Sequence, residues 1–426
     1  MLQVEVRLEA MTWLSGMFIQ NLQVRQDASA SYTIKVPCMK IKYIYTCIAL
    51  CFALTFSCVT NKNVTDMVKV VQSKETLDIS SLTDSVHVVK PSSSDPQSAI
   101  ARVDRVLSMN DRLYVVDRTA NKLMCFDSNG DFIASTEPII GHGRMEYARI
   151  MDATVDPGNS MVYIFCDASY KIIRLDADLN AIDSFSFDDL FVEIAVAGDY
   201  LYALCKKDDS FELRQYRTKD LKGKHDTLLR QTELIRGVRS IGKSMHSDGI
   251  SCYVAFPFSN SIYRICEGEV ESETIVDFGA LWYDYEQNKG LRANQFLDKN
   301  DDKAWIIMNT VVTDSLALFN TNRADIASIN ANRQGTSRFD VTNRDFPFAS
   351  TLIYPLGGVY GAAVMVAENE HISRYKNVCK EKGIDLSDDS SKLNKWIREY
   401  SPKDNPILVV EYLRVTNEQA TGDVHQ

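Results

Sequence analysis

The stretch DRLYVVDRTANKLMCFDSNGDF, residues 111–132, constrains this chain most, because altered copies of it return along the rest of the sequence. Leu113, Tyr114, Val115 and Val116 form a short β-prone run, followed by a polar turn from Arg118 to Asn121. Leu123 to Phe126 is a second run, closed by the turn Asp127-Ser-Asn-Gly130. The pattern reads as an antiparallel hairpin with a turn at each end.

The next copy, MVYIFCDASYKIIRLDADLNAIDSF, aligns without a gap: Tyr163 stands at the place of Tyr114, Lys171 at that of Lys122 and Asp176 at that of Asp127. YLYALCKKDDSFELRQY places Tyr202 there and SCYVAFPFSNSIYRICEGE places Tyr253; weaker copies start at Ser315 and Gly361. The tyrosines are spaced by 49, 39 and 51 residues. Periods of this size belong to propellers and solenoids, and short antiparallel strands without amphipathic helices between them favour the propeller. The expected fold is all-β: a six-bladed β-propeller of four-stranded antiparallel blades over residues 81–414. Val86 to Val89 is its first candidate strand, and Ile407 to Leu413 is a candidate for ring closure. Ile372, Tyr375 and Val378, then Leu393, Trp396, Ile397 and Tyr400, fall at helical spacing and predict a short helical insertion over 368–400. The four repeated tyrosines are expected in the core.

A net charge of −10 lacks the basic stripe that phosphate contact requires, so nucleic acid is not an expected partner. Of ten cysteines, Cys38, Cys47, Cys51 and Cys58 lie in or before an apolar N-terminal run. The other six sit without C-x-x-C pairs in strand-like runs, as small buried hydrophobes do. Zinc is disfavoured, and no metal or cofactor is expected.

Met39-Lys-Ile-Lys42 followed by the apolar run Tyr43 to Ser57 has the shape of a signal peptide over 39–58, beginning at an internal methionine. Residues 1–38 then represent an over-long gene start outside the fold. The run ends Leu54-Thr-Phe-Ser-Cys58, which is similar to a lipobox, with Cys58 the residue lipidated. A polar tether over 59–80 is expected to follow, and residues 415–426 are expected to form a disordered tail. Removing residues 1–58 takes away five Lys/Arg and three Asp/Glu, which moves the net charge from −10 to −12.

Gly141-His-Gly-Arg-Met-Glu-Tyr147, with Ile150-Met-Asp-Ala-Thr-Val-Asp156, resembles the G-x-G-P-x-E-Y element of the six-bladed β-propeller lipoproteins of Gram-negative gut anaerobes, relatives in fold of NHL-repeat proteins. Asp345-Phe-Pro-Phe348, Ile353-Tyr-Pro-Leu356 and Asn405-Pro-Ile-Leu-Val409 are similar to that family as well. This chain has Arg144 and Met145 where the family favours Pro and Gly. The resemblance covers about residues 75–414 and implies the fold and an envelope location more than an activity.

There is no G-x-S-x-G, H-E-x-x-H, P-loop or G-x-G-x-x-G after a strand. Asp298-Lys-Asn-Asp-Asp302 lacks the glycine and terminal glutamate of a calcium loop and reads as a solvated turn. Two clusters remain as binding candidates. One is His142, Arg144, Glu146 and Tyr147, which mixes both charges with an aromatic; an inter-blade bracket is the competing structural reading. The other is Trp282, Tyr283 and Tyr285 with Trp305, aromatics that suit a sugar or peptide by stacking; capping of a blade core is the competing reading.

The expected role is a ligand-binding or protein-interaction module, monomeric and not an enzyme. It would be exported and held in the cell envelope, facing the periplasm or the cell surface, by an N-terminal lipid anchor only. A glycan, a peptide or an envelope protein is the expected partner. The alternative is an extracellular lyase or hydrolase acting on a glycan or peptide at the channel mouth. Convergence of Glu146, His142 or His246 with a carboxylate or metal would favour it. A third reading, a subunit of a larger envelope complex, predicts a large exposed apolar patch.

Overall fold

Strands of two to nine residues separated by tight turns organise most of the computed structural model. It describes residues 64–414 apart from 169, 208–209, 233, 239–241, 345, 348, 350–351, 388–391 and 402. The strands fall into six four-stranded antiparallel groups, over 105–135, 150–186, 191–231, 245–277, 307–338 and 353–413, the last completed by Thr83–Val89. First strands of successive groups lie against one another, and that of the sixth returns to that of the first, pairing Leu356 with Val106. The result is a β-propeller ring.

The reason these strands read as continuous apolar runs is that both faces of each are covered. In Arg112–Asp117, Tyr114 and Val116 enter the core shared with the second group, while Leu113 and Val115 enter the core shared with the sixth. Tyr114, Tyr163, Tyr202 and Tyr253 are all buried, as are Cys125, Cys166, Cys205, Cys252 and Cys379, with Cys266 half-buried and none of the six in a disulfide. Burial pushes the Cys125 thiol up to about 11 and that of Cys166 up to about 12, so they are inert fillers. The repeated aspartates shape the outer turn: Asp127 Oδ1 accepts from the amides of Asn129 and Asp131, both at 2.8 Å, and Asp176 Oδ1 from those of Asp178 and Asn180. Gly130 in the first of these turns has φ 93°, and a Cβ there would lie 2.3 Å from the Lys90 carbonyl oxygen.

The ring is closed by its N-terminal segment. Ile407–Leu413 pairs antiparallel with Ala362–Ala367 on one side and with Thr83–Val89 on the other. The tether expected over 59–80 is corrected, and so is a propeller starting at 81. Val64–Gln72 is a strand, with Val68 and Val70 buried, lying parallel to the outer strand of the fourth group through Val64–Lys69 and to that of the fifth through Val70–Gln72. It stitches two neighbouring groups together before Leu77–Asp78 pairs with Val341–Thr342. Cys58, the segments 1–38 and 39–58, and the tail 415–426 lie outside the described residues.

The helical insertion is present as Asn369–Lys382 and Lys392–Glu399, between the second and third strands of the sixth group. Two helices not foreseen, Tyr285–Asn288 and Ala293–Lys299, occupy the connection from the fourth group to the fifth. The second contains Asp298, and Asn300 beyond it is buried and donates to Asn288 Oδ1 at 2.9 Å, so 298–302 is a helix end rather than a freely solvated turn. No helix of the described residues is long and apolar enough to cross a membrane.

Candidate functional site

Strand alternation puts the connections between groups, and the loops from second to third strands, on one face of the ring, here the loop face. Both clusters singled out in the sequence lie there, as does the helical insertion. The axis beneath is occupied by charge. Arg105, at the start of the first group's inner strand, crosses to Asp152 of the second, with Nη1 2.8 Å from Oδ2 and 3.0 Å from Oδ1. The same guanidinium donates to the backbone carbonyls of Ile194 in the third group, at 3.2 Å, and Met245 in the fourth, at 3.4 Å. Lys243 Nζ reaches Asp152 Oδ1 at 2.8 Å, and Glu193 accepts from the amides of Ser244 and Met245, each at 2.9 Å. Two cations thus share the one carboxylate of Asp152, while Glu193 is held by backbone amides. Burial opposes ionisation of Asp152, but Arg105 and Lys243 outweigh it and hold its carboxyl below the usual range, while burial raises that of Glu193.

Farther along the axis, Gly358 donates to the Ser247 carbonyl at 2.8 Å, joining the sixth group to the fourth. His246 is buried between these levels, stacked on Tyr253 at 6.2 Å, with no hydrogen-bond partner for Nδ1. Burial, helped by Arg105, pushes its pKa down to about 3. His246, His142 and Glu146 do not converge. Sequence reasoning missed Arg105, Asp152 and Glu193, although each is a charge at or near the start of a largely apolar inner strand.

The loop carrying His142, Arg144, Glu146 and Tyr147 is held from inside. Tyr147 is buried, its hydroxyl 2.6 Å from Thr136 Oγ1 and donating to the Asn121 carbonyl at 3.0 Å. Glu146 Oε2 accepts from the Gly143 amide at 2.8 Å, closing the turn, and buried Lys171 donates to the carbonyls of Gly143, Arg144 and Glu146. His142 and Arg144 are exposed, and Arg144 lies 3.5 Å from Asp183. The loop brackets the first and second groups and offers solvent the side chains of His142 and Arg144.

The aromatic cluster divides differently. Trp305 and Tyr283 are buried with Phe258 and Phe296 in a satellite core under the loop face; Trp305 stacks on Phe258 at 5.4 Å, and the Tyr283 hydroxyl donates to the Phe258 carbonyl at 3.0 Å. Trp282 and Tyr285 are half-buried. Trp282 stacks on Phe278 at 5.3 Å and, with Tyr285, Tyr263, Asp284, Asn260 and Gln231, borders an open recess of about 540 Å³. A second recess of about 360 Å³, bordered by Lys206, Arg236 and Phe211, shares Phe258 with it. Half-buried rings beside a carboxylate and amides can stack on a planar or pyranose ligand and hydrogen-bond its rim. Among the described residues no cluster of His, Cys, Asp and Glu is arranged to hold a metal ion.

Ring and inter-group cores define a β-propeller, with an open recess on its loop face. The chain belongs to the family described as Domain of unknown function (DUF4934), whose model matches residues 62–411. No curated protein matches it. Among solved structures it is similar to an exported protein of Bacteroides fragilis, with a TM-score of 0.60 and 15% identity over 82% of this chain and 100% of that one. BamB of Moraxella catarrhalis gives a TM-score of 0.34 at 11% identity, over 63% of this chain and 72% of that one. The Neurospora crassa Pan2 WD40 domain gives 0.38 at 8%, over 74% and 77%.

Proposed function

We propose that this protein is an exported, lipid-anchored β-propeller of the cell envelope that binds a glycan or peptide on its loop face. The observation that carries the reading is the recess bordered by Trp282 and Tyr285, where aromatic surface stays half-exposed beside Asp284 and Asn260. The neighbouring rings of Trp305 and Tyr283 are packed away in the satellite core, and the axis is filled by paired charge. A stacking surface with neighbouring acceptors and donors is suited to capture rather than to proton transfer.

The anchor rests on sequence: the basic start Met39–Lys42, the apolar run to Ser57, and Cys58 only a few residues before the first strand at Val64. Palmitate labelling of the native protein tests it, with Cys58→Ser expected to abolish incorporation. Tryptophan fluorescence of the purified protein, titrated with oligosaccharide and peptide panels, tests the recess. A saturable change lost in Trp282→Ala supports the reading. Absence of any saturable response in both panels would remove the small-ligand role of this face.

A further inference from the structure

The two faces of the ring are not equally sealed. On the face opposite the loop face, two of the repeated tyrosines lock neighbouring groups together: Tyr114 donates to the Ala177 carbonyl of the second group at 3.0 Å, and the Gly268 amide of the fourth donates to the Tyr202 hydroxyl at 3.2 Å. Tyr253 does not make the equivalent bridge to the fifth group. Its hydroxyl turns to Asp248 of its own group, at 3.3 Å, and a cleft of about 300 Å³ opens between the fourth and fifth groups. Arg333, on the fifth group's outer turn, pairs instead with Asp66 of the stitching strand, so the N-terminal segment forms one rim.

We infer that this cleft is a second binding site, distinct from the loop-face recess, for a neutral polyhydroxyl ligand the size of a mono- or disaccharide. Its volume is at the lower end for small-ligand pockets. Its cations are already paired, Arg333 with Asp66 and Arg264 with Glu271 at 3.1 Å, and Glu273 accepts from Ser261 Oγ at 2.8 Å. An anionic ligand would have to displace one of these pairs. Hydroxyl groups need not, because each paired group keeps capacity to spare. The Arg264 guanidinium donates through Nε to Ser251 Oγ at 3.2 Å, and its terminal amino groups make no hydrogen bond among the described residues. Asp314 accepts from the Tyr360 hydroxyl through Oδ1 at 2.7 Å, leaving Oδ2 free. Fixed forks of donors and acceptors, with the rings of Tyr253 and Tyr360 in the lining, match vicinal hydroxyls and the apolar face of a sugar.

Calorimetric titration of the purified protein with glucose, galactose, N-acetylglucosamine, maltose and cellobiose tests the assignment. At least one sugar is expected to bind saturably at a single site. Asp314→Ala, on an exposed turn, and Ala331→Trp, which fills the cleft from an exposed position, should each weaken it by tenfold or more, with melting unchanged. Trp282→Ala should leave it intact. The inference is overturned if none of the five sugars binds, or if binding survives both cleft variants and is lost in Trp282→Ala, which would place the sugar in the loop-face recess instead.

Discussion

Arg105 at the axis and Trp282 on the loop face are both side chains of the kind that recognise ligands, yet the molecule uses them in opposite ways. Arg105 is almost wholly buried, and its terminal amino groups are spent on Asp152 and on two backbone carbonyls. Trp282 packs one face against Phe278 and stays half-buried at the border of the recess. A cluster whose charges pair internally contributes rigidity and register, because separate groups must be in place before Arg105 and Lys243 meet Asp152. A group that stops short of full burial is where binding capacity remains. Chemical type alone does not separate the two; remaining valence does.

The sharpest break of this comparison is at the axis. Asp152→Ala leaves Arg105 and Lys243 buried without their shared partner and is expected to cost about 3–5 kcal/mol in denaturant unfolding. Trp305→Ala, from the buried half of the aromatic pair, should cost a similar 3–5 kcal/mol, roughly, by opening a cavity beside Phe258 and Phe296. Either variant unfolding at the wild-type midpoint would mean that its cluster is not part of the framework.

His246 sets a smaller, pH-dependent effect. Its folded pKa of about 3 lies below the ordinary 6.5, so below pH 6.5 the unfolded chain takes up a proton that the folded chain refuses. Stability is therefore lost as pH falls from 6.5 towards 3, at up to about 1.4 kcal/mol per pH unit. Denaturation midpoints measured from neutral to mildly acid pH should show this slope, and His246→Phe should flatten it. An unchanged slope would show that His246 can ionise in place.

The architecture was legible because its repeats perform repeated physical work. Asp127 and Asp176 align in sequence because both close an outer turn through their side chains, and Tyr114, Tyr163 and Tyr202 align because each fills an inter-group core. The strand Val64–Gln72 was not legible: only Val68 and Val70 of its nine residues are buried, and its partners lie some two hundred residues away. The axial network was hidden for the same reason, being assembled from single residues of four groups. In the aromatic cluster, sequence named the right side chains but could not separate Trp305 from Trp282. That distinction is set by the helices Tyr285–Asn288 and Ala293–Lys299, whose few turns carry too little periodicity to announce themselves. In the loop 141–147, the residues that looked most like a site, Glu146 and Tyr147, are the ones the fold consumes.

The finest tests lie on the loop face, where binding and stability should come apart. Trp282→Ala removes a half-buried ring and is expected to cost only about 1 kcal/mol of stability while abolishing the fluorescence response to a ligand of the recess. Arg144→Ala is smaller still. Its side chain is 76% exposed and meets Asp183 only at 3.5 Å, so screening leaves the pair about 0–0.5 kcal/mol. The backbone of its loop is held by Lys171, Glu146 and Tyr147, none of which the substitution touches. Melting of Arg144→Ala should therefore coincide with wild type. If ligand affinity also stays unchanged, the bracket is purely structural and the recess at Trp282 stands as the binding feature of this face. A loss of affinity without a loss of stability would extend the site across the loop face to the first and second groups.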